Sequence, residues 1–147
     1  MKKPYLLLLI IVSFSIIILL TAQEKQSEVP DLRGTWKAYV SGMVLGKDRF
    51  QSGESELRHL DIEGTLTIDK QEGFRFSGIK SSSGKTKQFI GVIGFDNISI
   101  FIVDEEGHET AQLITSNEIE SYYQHSVEGR MAVCRCRYLK LEKMNDH

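Results

Sequence analysis

The chain has 147 residues, 41% of them hydrophobic, which is one domain's worth of material. Its formal net charge of −2 offers no basic face of the kind that nucleic acid requires. No catalytic or cofactor motif stands out from the composition or the spacing, so fold and compartment are the legible properties.

Residues 1–22 have the layout of a secretory leader. Met1-Lys2-Lys3 is a short basic start, Tyr5 to Leu20 is almost wholly aliphatic, and Thr21-Ala22 before Gln23 offers a small residue at a cleavage point. The alternative is an uncleaved signal anchor, since Tyr5 to Ala22 is uncharged and near the lower length limit for a spanning helix. Either way the remainder is expected outside the cytoplasm, secreted, periplasmic or tethered to the membrane, because Lys2 and Lys3 mark the side that stays in. No cysteine lies near the leader's end, which argues against a lipid anchor. Removing the leader takes two of the 18 basic residues and none of the 20 acids, moving the net charge to −4. Residues 23–31 read as a polar tether, 32–141 as the folded domain and 142–147 as a tail.

From Leu32 onward the pattern is β, with no run of helical apolar period. Eight strands are predicted in order: Arg33 to Val44, Leu57 to Asp69, Phe74 to Lys80, Lys87 to Gly94, Ile98 to Val103, Glu109 to Ile114, Glu118 to Gln124 and Arg130 to Leu141. The links carry turn residues, among them Gln71-Glu72-Gly73, Ser83-Gly84, Asp96-Asn97 and Glu128-Gly129. Links this short force antiparallel neighbours, and eight such strands close most simply as an up-and-down barrel without free edges.

Side chains alternate across a strand, which assigns an inner face. Trp36, Ala38, Val40 and Gly42 share one face, as do Ile62, Gly64, Leu66 and Ile68, then Phe74, Phe76 and Gly78. Ala111 and Leu113, Ile119, Ser121 and Tyr123, and Ala132, Cys134, Cys136 and Tyr138 complete the lining, with Arg135 and Arg137 pointing out. Nearly half of these positions are Gly, Ala, Ser or Cys. An eight-stranded barrel is just wide enough to be filled or to hold one small ligand, so the small residues suit either a cavity or a taper. This lining is almost uncharged, so any guest is expected to be apolar. Trp36, Phe74, Phe76, Tyr123 and Tyr138 are the candidate ligand-binding residues.

The run Phe89 to Val103 is apolar on both faces. A barrel covers only one, so the uncovered residues come from Phe89/Ile93/Phe95 or Ile90/Val92, with either Ile98/Ile100/Ile102 or Phe101/Val103. Of these, Phe89, Ile93, Phe95, Phe101 and Val103 are the candidates for an interface with a second copy, an envelope protein or a nearby membrane.

Other constellations are weaker. Lys80-Ser-Ser-Ser-Gly-Lys-Thr86 resembles the tail of a phosphate-binding loop, but the leading glycine is misplaced and a strand follows where a helix is needed, so a solvated turn is expected. Cys134 and Cys136 alternate along one strand face in poor bridging geometry and read as buried free thiols, with a strained disulfide or a metal site as alternatives. Asp104-Glu105-Glu106 with Glu109 matches no calcium loop and reads as a solvated charged turn. No nucleophile elbow or acid/base pair is visible, so no catalytic residue, metal or cofactor is expected.

Leu32-Arg33-Gly34-Thr35-Trp36, opening the first strand, resembles the Gly-x-Trp start of the calycins, the superfamily of lipocalins, fatty-acid-binding proteins and avidins. Gly64 to Gly78, Phe89 to Gly94 and Ile119 to Tyr123 are similar to a family of exported prokaryotic avidin- or lipocalin-like barrels, mostly of unassigned function. The resemblance covers roughly Arg33 to Lys140. It implies an eight-stranded antiparallel barrel whose tryptophan closes one end, and it implies no activity. The polar biotin-binding set of avidins has no counterpart here. The expected function is a non-enzymatic exported barrel that binds a small apolar ligand or envelope component; the alternative is a packed barrel that docks a partner or a second copy.

Overall fold

The computed structural model describes residues 28–46, 57–127 and 129–142. Eight strands run β1 (Gly34–Gly46), β2 (Leu57–Glu72), β3 (Arg75–Ser82), β4 (Lys85–Ile93), β5 (Ser99–Asp104), β6 (His108–Thr115), β7 (Glu118–Val127) and β8 (Arg130–Lys140). Each pairs antiparallel with its sequence neighbours, and β8 pairs with β1 to close the barrel. All eight expected strands are present, with ends displaced by a few residues. The expected leader (residues 1–22) and most of the tether lie outside the described residues. Among the described residues no helix is long and apolar enough to cross a membrane.

Local chemistry explains the turns. Asp96 Oδ1 accepts the backbone N–H groups of Ile98 and Ser99, while its Oδ2 accepts from Ser99 Oγ at 2.6 Å. These bonds, led by the Ser99 hydroxyl, hold the Asp96 carboxyl down at about 2. Ser83 and Gly84 both take positive φ, as a two-residue hairpin of type I′ requires.

One end of the barrel is sealed. Leu32 and Trp36 are fully buried, and Trp36 Nε1–H donates to the Leu32 carbonyl at 3.0 Å. Gln71 fastens the chain before β1, its Oε1 accepting from Leu32 N–H and its Nε2 donating to the Pro30 carbonyl. Pro30 and Asp31, expected to belong to the tether, are therefore fastened to the barrel. Above this plug Leu66, Ile68, Phe76, Ile93, Ile100 and Ile119 fill the interior.

Phe76 and Phe89 meet edge to face with ring centroids 6.2 Å apart. Glycines make room for them. A Cβ on Gly91 would lie 2.3 Å from the Phe76 ring, and one on Gly78 would lie 1.9 Å from the Thr67 carbonyl oxygen. At these positions the small residues admit aromatic rings and close backbone approach; they do not by themselves leave space.

Three residues depart from their expected faces. Phe74 belongs to the turn after β2 and is 49% exposed, with the Arg75 guanidinium 5.0 Å from its ring centroid, so it does not face inward. Phe89 and Ile93 do face inward and are buried, which removes them from the expected outer interface. Strand pairing decides this parity: Phe89 stands opposite Asp104 and Ile93 opposite Ile100 on the inner side. The outer side of the same two strands carries the opposed pairs Ile90–Val103 and Val92–Phe101. All four of these residues are exposed, and Phe95 projects fully from the β4–β5 turn.

Candidate functional site: the open half of the barrel

The half of the barrel away from Trp36 holds a cavity of about 260 Å³. Its apolar wall comes from β1, β2 and β8, through Val40, Val44, Leu60, Ile62 and Ala132. The facing wall is charged, which corrects the expectation of an uncharged lining. Lys80, Lys87, Asp104, Glu106, Glu109, His125 and Arg130 all border the cavity.

A buried ionic cluster forms the floor. Glu109 is 3% exposed and its carboxylate accepts from Lys80 Nζ at 2.5 Å, Ser121 Oγ at 3.0 Å and Tyr138 Oη at 2.9 Å. Lys80 also donates to Asp104 Oδ2 at 3.1 Å, and its ammonium lies 5.7 Å from the Phe89 ring centroid and 5.4 Å from that of Tyr123. Asp104 in turn caps the β5–β6 turn, accepting from the N–H groups of Glu106 and Gly107. Burial pushes the Asp104 carboxyl up, but the Glu106 N–H, the Lys80 charge and the Gly107 N–H outweigh it and leave the group below its usual range. Lys87 and Glu106 make a second ion pair nearer the rim. The acidic run after β5 is thus structural in Asp104 and Glu106, and only Glu105 is the solvated residue expected of the whole turn.

Tyr138 is held well above the ordinary phenol value by burial first and by Glu109 beside it, so it stays protonated and donates. Burial raises the Cys134 thiol, and raises that of Cys136 to about 11. Both are free and buried, and as neutral thiols they are poor nucleophiles. Among the described residues no three His, Cys, Asp or Glu side chains are grouped to hold a metal ion.

Of the five candidate ligand residues, Tyr123 and Tyr138 border the cavity. Trp36 and Phe76 lie in the packed half, and Phe74 is outside. The sequence reading missed Lys80, Lys87, Asp104, Glu109 and His125 as inward residues. Their signal was parity: Lys80 follows Phe76 and Gly78 on one face, Asp104 follows Ile100 and Ile102, and Glu109 precedes Ala111.

These features define the molecule as a closed, eight-stranded, antiparallel up-and-down barrel, packed at one end and hollow at the other. No family model matches the chain, and no curated protein matches it. Among solved structures, a redesigned β-barrel aligns with 76% of this chain and 92% of its own, at 10% sequence identity and a TM-score of 0.48.

Proposed function

We propose that the protein is a non-enzymatic, exported or membrane-tethered barrel of calycin type that binds one small molecule in its open half. The cavity above the Glu109 floor carries this reading, because an eight-stranded barrel packed throughout would leave no such space. The calycin type is supported by the Gly34-Thr35-Trp36 start of β1, by Trp36 at the sealed end, and by a last-strand cation across its ring. Calycins often use arginine there; in this chain Lys140 Nζ lies 5.0 Å from the indole centroid and donates to the Asp31 carbonyl. The lining divides into an apolar and a charged wall, so the guest is amphipathic and not purely apolar.

A second reading, docking of a partner or second copy, is favoured by one observation: the exposed cross-strand pairs Ile90–Val103 and Val92–Phe101. Native and denaturing mass spectrometry of protein recovered from expression of the full chain separate the two. A small molecule retained natively and lost on denaturation is the expected result. A dimer without any guest favours docking through the outer face.

A further inference from the structure

Two polar groups of the open half have no partner among the described residues. His125 is 6% exposed, and neither of its ring nitrogens makes a hydrogen bond. Its ring instead meets that of Tyr123 at nearly right angles, centroids 5.8 Å apart. Arg130 Nε, at the start of β8, is also buried and unpartnered. His125 stands opposite Ala132, which puts Arg130 two residues along the neighbouring strand on the same side, within diagonal reach. Both border the cavity. Buried polar groups in folded proteins are nearly always hydrogen-bonded, so two orphans at one cavity mark the place of a partner from outside the chain.

The donors and charges define that partner. Burial, then Arg130, holds His125 below the ordinary histidine range; Glu106 pulls against them, Lys87 adds to the lowering and Asp104 opposes it. The neutral imidazole offers one N–H donor, and Arg130 Nε–H offers a second from a group that stays charged. Lys80 is paired with Asp104 and Glu109, and Lys87 with Glu106, whereas Arg130 makes no ion pair among the described residues, so its guanidinium beside His125 favours an anion. Two donors suit the two oxygens of a carboxylate better than the three or more of a phosphate. The volume of about 260 Å³ suits a compact guest.

We propose that the open half binds a compact organic carboxylate, one oxygen accepting from Arg130 Nε–H and the other from a His125 N–H, with an apolar body against Val40, Val44, Leu60 and Ile62. The assignment rests on the reading of the open half as a small-molecule site. Benzoate and its neutral isostere benzamide test it by calorimetric titration of the full-chain protein at pH 7. Benzoate is expected to bind at least about tenfold more tightly than benzamide. Arg130→Met and His125→Phe are each expected to abolish that preference by bringing benzoate down to the affinity of benzamide. Unaltered thermal midpoints certify the fold, and His125→Gln replaces His125→Phe if the latter does not fold. Equal affinity for the two probes in the parent protein, or a preference that survives Arg130→Met, overturns the carboxylate site and leaves the small-molecule reading intact. Absence of binding by both probes at millimolar concentration overturns both readings and assigns the orphaned groups to water.

Discussion

Replacing Lys80 by methionine is expected to lower the free energy of unfolding by about 3–5 kcal/mol. Methionine keeps most of the stem volume, so the loss isolates the charge. The Lys80 side chain is largely buried, and the carboxylates of Asp104 and Glu109 are almost wholly so. Without the ammonium, two buried anions face each other across the cavity floor with only Ser121, Tyr138 and backbone donors to hold them. Breaking a buried ion pair on one side is costly because the remaining charge has lost its solvent as well as its partner. The same reasoning fixes the pH dependence. A carboxyl no longer stabilised by Lys80 takes up a proton more readily when buried, and the neutral form costs less to bury. The difference between parent and variant in urea unfolding is therefore expected to shrink between pH 7 and pH 5. Adding Asp104→Asn and Glu109→Gln to Lys80→Met is expected to recover part of the loss at pH 7. A loss below about 1 kcal/mol would mean that the cluster behaves as a solvent-screened surface pair.

Trp36→Ala is expected to cost about 3–5 kcal/mol by the same measurement. Trp36 is fully buried, and its removal leaves a void between Leu32, Leu66 and the Lys140 stem that the barrel wall cannot close. It also strips the Leu32 carbonyl of its donor. Trp36→Phe separates the two contributions. Phenylalanine refills most of the space but leaves that carbonyl unpaired, so its cost is expected to be about 1–3 kcal/mol. An alanine variant within about 1 kcal/mol of the parent would show that the plug formed by Leu32 and Trp36 contributes little to stability.

The strand count and order were legible because turn residues punctuate every run and leave little choice of connection. Asp96-Asn97 and Ser83-Gly84 mark their hairpins by side-chain hydrogen bonding and by positive φ, both local properties. Parity in β4 and β5 was not legible. Their residues are apolar on both faces, so only pairing across the barrel tells Phe89 from Ile90. Phe74 misled for a related reason: it continues the alternation of Phe76 and Gly78, yet the chain is still turning there. The charged wall was hidden by position. Lys80, Asp104 and Glu109 sit at strand ends beside turns, where charge ordinarily means solvent, and their burial depends on partners contributed by other strands. His125 shares the parity of Ser121 and Tyr123, but its orphaned nitrogens are a property of the assembled cavity and left no local signal.

The central claim is that the hollow end of the barrel receives the guest. Methyl NMR of Ile-, Leu- and Val-labelled protein, titrated with a mixture of neutral and charged fragments of benzoate size, tests it most directly. Shift changes are predicted at Val40, Val44, Leu60 and Ile62, which line the cavity. Changes confined to Ile90, Val92 and Val103 on the outer sheet, with the cavity methyls unmoved, would contradict it.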